Sequence, residues 1–131
     1  MFRKKYRKNG SAAVELAVCL PVIMLLTFGA IEGASMAFLR QTLVQTAYEG
    51  VKVAARRGST DAAAMNAAQQ VVAGRNVSDV ELRFSQENIA SIPPGTPITL
   101  FVSAPTDANS AFPFGPFRGQ TVRVQATMAK E

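Results

Sequence analysis

Glu15 is the first residue of this chain whose chemistry demands a partner. It lies five residues after Gly10, in the run Gly10-Ser11-Ala12-Ala13-Val14-Glu15-Leu16, and no further charge occurs before Glu32. A lone carboxylate beside hydrocarbon costs about 3 kcal/mol on insertion scales, so its presence needs a reason. Two reasons are open. Near a helix start at headgroup depth, the macrodipole favours an anion. Inside an assembly, the carboxylate could instead pair with a cation. The free amine of a new terminus at Ser11 would be such a cation. Gly10 and Ser11 are small residues placed before the apolar run, and a cut between them would leave the apolar helix on the mature chain.

Other chemistries lack their parts. The chain has no histidine, and Cys19 is its only cysteine. An internal disulfide is therefore impossible, as are a Cys/His zinc site and a Ser–His or Cys–His couple. Asp61, Asp79, Glu81, Glu87 and Asp107 are the acids that a carboxylate pair would draw on. They fall on different expected elements with no motif linking them, and solvated surface charge is the usual role of such residues. The expectation is no catalytic residue, no metal, no cofactor and no enzymatic activity.

The net charge of +5 raises the question of a nucleic-acid partner. Arg3, Lys4, Lys5, Arg7 and Lys8 answer it. From Ser11 onward, nine Lys/Arg balance nine Asp/Glu. The basicity belongs to one short arm directly before an apolar helix, which is a topology signal that keeps this end cytoplasmic. No nucleic-acid partner is expected.

The elements that must position Glu15 follow from composition. The arm and apolar run have the order of a secretory signal, but such apolar regions span about 7–15 residues with their small-residue cleavage site after them. Here the run continues past Glu32, since Gly33 to Leu39 is again uncharged. Leu16-Ala17-Val18-Cys19 faintly matches a lipobox, yet the hydrophobic segment follows the cysteine instead of preceding it. Cys19 therefore reads as a small apolar helix residue. A helix from Ser11 to Leu39 would be about 43 Å long, enough to cross a hydrocarbon core of ~30 Å. Pro21 should bend it. Gly29, Gly33 and Ala37, at four-residue spacing, form a strip where another helix could approach closely. Glu32 is expected at the outer membrane–water boundary.

The string GSAAVELAVCLPVIMLLTFGAIEGA after a basic leader resembles the start of the TadE family, minor pilins (pseudopilins) of the tight-adherence or Flp pilus and relatives of type IV prepilins. The resemblance covers roughly residues 9 to 57. It implies that a prepilin peptidase cuts between Gly10 and Ser11. It also implies that Glu15, fifth in the mature chain, pairs with a neighbouring subunit's terminal amine during assembly. The implied partners are the peptidase, other pilin or pseudopilin subunits, inner-membrane pilus assembly proteins and membrane lipid. Ser11 departs from the Phe or Met that often opens type IV pilins proper, which favours the TadE-type branch and argues against N-terminal methylation. An uncleaved, single-pass accessory subunit of a secretion system is the alternative.

Beyond the span, Met36, Leu39, Leu43, Ala47, Val51 and Ala54 make one apolar stripe. The helix should run to Arg57, with Arg56 and Arg57 on its last carbonyls and Gly58 as cap. Ser59 or Thr60 can cap a second helix from Asp61 to Ala73, which Gly74 should end. Asn76-Val77-Ser78 matches a glycosylation sequon of a kind common by chance. Val80, Leu82 and Phe84 alternate as a strand, Pro93-Pro94-Gly95 turn, Ile98 to Ala104 form a second strand, and Val122 to Met128 a third. The expected fold class is α+β, with a long N-terminal helix, a second helix and a roughly three-stranded antiparallel sheet. Its parts are a leader over 1–10, a helix over 11–57 that spans membrane to about residue 39, and a periplasmic or extracellular head over 58–131. The long loop from Pro105 to Gly119 holds Phe112, Phe114 and Phe117. They either fold back to plug the sheet or stay exposed as a contact for another subunit.

Overall fold

The computed structural model describes residues 9–112 and 114–131; residues 1–8 of the basic leader lie outside them. Helix α1 covers Asn9–Ala55, helix α2 Asp61–Arg75, and strands β1 Glu81–Phe84, β2 Pro97–Pro105 and β3 Thr121–Ala129 follow, with a turn of 3₁₀ helix at Ile89–Ser91. This is the expected α+β architecture.

At 47 residues, α1 is a rod of about 70 Å. It continues unbroken past Pro21, whose missing N–H leaves one carbonyl of the preceding turn without its donor. Its two halves behave differently. The large apolar residues from Val14 to Ile31 are exposed, whereas Leu39, Leu43, Ala47, Val51 and Ala54 are fully buried. The buried set is the expected stripe at steps of three and four. The first half is long and apolar enough to cross a membrane, and none of its most apolar eighteen-residue stretch is buried.

The head is built on the second half of α1. Thr60 caps α2, its hydroxyl accepting from the Ala63 N–H at 3.3 Å. The small residues Ala64 and Ala68 of α2 are fully buried, which lets the two helices approach closely. Gly50 marks the tightest point, where a Cβ would collide with the Leu100 side chain and lie 3.1 Å from the Ala68 Cβ. Helix α2 passes Gly74 and ends at Arg75. Asn76 serves as cap in the left-handed conformation (φ 52°), its N–H directed at the carbonyls of Val72 and Ala73. Asparagine tolerates that conformation, so the glycine is not needed there.

The sheet is antiparallel in the order β1-β2-β3. Leu82 pairs with Val102 and Phe84 with Leu100, while Leu100 and Val102 pair in turn with Ala126 and Val124. Period-two alternation puts Ile98, Leu100, Val102 and Ala104 under the helices. Ile89 and Ile92, from the polar stretch before β2, complete the core. The Asp61 carboxylate holds that stretch in place, accepting from the N–H groups of Asn88 (3.1 Å) and Ile89 (2.6 Å).

The end of α1 differs from expectation. It stops at Ala55, and Gly58 (φ +69°) turns the chain. Arg56 and Arg57 are exposed. The terminal carbonyls are met by the far end of the chain instead. Lys130 is buried, its Nζ donating to the carbonyls of Ala54 (2.9 Å) and Arg56 (2.8 Å), and the Glu131 N–H bonds the Ala55 carbonyl.

Candidate functional site

Gly10, Ser11 and Glu15 sit on the first turns of α1, exposed and free of contact with the head. A Cβ on Gly10 would meet nothing within 4 Å. The Ser11 hydroxyl donates to Glu15 Oε1 at 3.1 Å. The i, i+4 spacing puts both on one side of the helix, so a carboxylate at 15 faces the end that a cut after Gly10 would create. Among the described residues, nothing but this hydroxyl is bonded to Glu15. Cys19 is exposed on the same helix.

The strip of Gly29, Gly33 and Ala37 is unevenly open. Gly29 and Ala37 are exposed and Gly33 is half-buried, with no atom of the chain within 4 Å of a Cβ built on either glycine. Gly29 also lines a cleft of about 450 Å³ between α1 and the long loop after β2.

That loop does not plug the sheet with its phenylalanines. It packs against α1, and of the two readings only Phe114 keeps the exposed one. Its base is fixed by Thr106, whose buried hydroxyl reaches the carbonyls of Phe117 (2.6 Å) and Gln120 (3.0 Å). Asp107 accepts the Gly119 N–H at 2.8 Å, and Asn109 bonds Ser78 through both N–H and carbonyl groups. From this base the loop reaches along α1. The Phe112 ring packs edge-on against Phe28, with centroids 5.1 Å apart and planes at 78°. Phe117 is half-buried, while Phe114 is 89% exposed.

Glu32 is at the centre of this junction. It is not at an open water boundary but buried beneath the loop. Its Oε1 accepts from the Ser110 hydroxyl, while Oε2 has no hydrogen-bond partner. Gly115 packs so closely over it that a Cβ there would collide with the carboxylate. The rule that made Glu15 notable applies equally to Glu32: a single acid in a long apolar helix calls for a named partner. Its partner came from a loop 78 residues away, which spacing along the chain could not show.

Of the acids considered for catalysis, Asp79 and Glu81 line one shallow cleft with Arg123. Asp61 and Asp107 spend their carboxylates on backbone N–H groups. The sheet face turned from the core places Arg83, Phe101 and Gln125 side by side across the strands. Arg75 joins the helices, donating to Gln45 Oε1 at 2.8 Å with its guanidinium over the Phe38 ring.

Comparison with known proteins adds one finding. The model of the family described as TadE-like protein matches residues 10–52, from the glycine before Ser11 to the last turn of α1. No curated protein and no solved structure matches the chain.

Proposed function

We propose that the chain is a structural, non-enzymatic subunit: a minor pilin or pseudopilin of a tight-adherence (Flp-type) pilus or of its assembly base. In this reading the leader stays in the cytoplasm and α1 crosses the inner membrane with the head on the periplasmic side. Prepilin peptidase cuts between Gly10 and Ser11, and the exposed first half of α1 then packs against other pilin subunits. The same helix is also the core of the head, so its position in an assembly carries the head with it. No cofactor is involved.

The observation that carries the proposal is the arrangement at the helix start. Ser11 and Glu15 are exposed, mutually bonded, and placed at the free end of an unbroken apolar helix. After cleavage, the Ser11 amine and the carboxylate of a neighbour's Glu15 would neutralise one another in an apolar bundle, where an unpaired charge is costly. The TadE-like match over residues 10–52 supports the same reading.

Incorporation tests it. In cells that make the pilus apparatus, Glu15→Leu should be cut normally and stay in the membrane, yet be missing from sheared fibres and from complexes with other pilin subunits. Incorporation equal to the parent chain would remove Glu15 from its assembly role.

A further inference from the structure

We propose that the tip of the loop between β2 and β3 is a lipid-contacting element, with Phe114 seated in the outer-leaflet interface of the bilayer that α1 crosses. The inference rests on reading the first half of α1 as a membrane span.

Depth is the first argument. From Ser11 to Glu32 the helix rises about 32 Å, close to the ~30 Å thickness of a hydrocarbon core. The loop does not stop at Glu32. It continues down the helix to Phe28, and the cleft between loop and helix extends to Leu25, about 10 Å below Glu32 along the axis. A span ending at Glu32 thus carries the loop tip into the boundary between headgroups and acyl chains.

Composition is the second. Ala108 to Phe117 holds no charged residue, and Arg118 follows at its upper end. An apolar tip beneath a cation suits a surface whose headgroups carry phosphate. Phe114 is the most exposed large apolar side chain of the head. It is also continuous with Leu25 and Phe28 of the span, with which it borders the same cleft.

Backbone bonding is the third. Irregular chain near hydrocarbon must satisfy its own polar groups. Residues 113 and 116 are prolines and bring no N–H. The Phe112 N–H bonds Ser110 Oγ at 3.2 Å, the Gly115 N–H bonds the Phe112 carbonyl at 3.2 Å, and the Arg118 N–H bonds the Gly115 carbonyl at 3.3 Å. Among the described residues, the N–H groups of Ser110, Ala111, Phe114 and Phe117 are left for water or headgroup oxygens, which suits a seat in the interface and not in the hydrocarbon.

The chain has no tryptophan, so one indole reports one site. The full chain bearing Phe114→Trp is reconstituted in phosphatidylcholine vesicles with acyl chains brominated at known depths, beside a Leu20→Trp chain as span reference. The expected result is blue-shifted emission for Phe114→Trp, with more than about half of it lost to bromines just below the glycerol backbone. Leu20→Trp should be quenched by bromines nearer the bilayer centre. If Phe114→Trp emits as in water and yields to iodide while Leu20→Trp is quenched by lipid, the loop proposal is overturned and the span stands. A blue shift that grows with protein-to-lipid ratio and ignores bromine assigns the tip to a second copy, which also overturns it. If neither indole meets lipid, the span reading fails and takes this proposal with it.

Discussion

The Glu32 carboxylate and the Ser110 hydroxyl, 78 residues apart in the chain, are hydrogen-bonded to each other in the junction between α1 and the loop before β3. Together with the Phe28–Phe112 ring contact, this bond joins the apolar helix to the loop. Because Oε2 has no partner, the carboxylate depends on Ser110 for its one side-chain hydrogen bond.

Ser110→Ala therefore leaves a buried carboxylate with neither oxygen bonded. The expected loss is about 1.4 kcal/mol, felt locally as opening of the loop. In detergent-solubilised chain, chymotrypsin cleavage within Phe112–Phe117 should rise about tenfold. The double change Glu32→Leu with Ser110→Ala should be milder than Ser110→Ala alone, because removing both partners of a buried bond can be nearly neutral. Equal cleavage in all three chains would show that the bond does not hold the loop.

Lys130 is expected to matter more than its place beside the C-terminus suggests. Lys130→Met keeps the apolar stem but removes both bonds to the last carbonyls of α1. The cost should be about 2 kcal/mol, seen as a lower midpoint in thermal unfolding followed by circular dichroism. Arg56→Ala and Arg57→Ala, at exposed positions, should change the midpoint little.

Two glycines make an opposed pair. Gly50→Ala forces a methyl into Leu100 and Ala68 and should destabilise by about 1–3 kcal/mol. Gly74→Ala places its methyl in open space within α2 and should stabilise by about 0.5 kcal/mol. Thermal midpoints that move in the same direction would contradict the packing described here.

Much of the architecture could be read from local pattern. Leu39 to Ala54 kept its helical stripe, and the alternation at Ile98–Ala104 and Val122–Met128 became strands, because these signals live within one element. The misses involve elements meeting. Lys130 replaces Arg56 and Arg57 at the helix end because antiparallel pairing brings the last strand back to it. Ile89 and Ile92 were hidden in a polar stretch that Asp61 pins to the core. Glu32 was read by its distance along the helix, whereas its surroundings are set by a loop that folds back from β2. The long apolar helix and the place of Gly10, Ser11 and Glu15 on its first turns were legible for the opposite reason: they lie in one helix, and their spacing is their geometry.

The central claim is that this chain is a prepilin whose working terminus is Ser11. The most direct measurement is the N-terminal residue of membrane-extracted protein, by mass spectrometry, with and without co-expressed prepilin peptidase and beside a Gly10→Ala variant. The account predicts a terminus at Ser11 that needs both the peptidase and Gly10. A chain that keeps its leader under all three conditions would contradict it and leave an uncleaved, membrane-anchored accessory subunit.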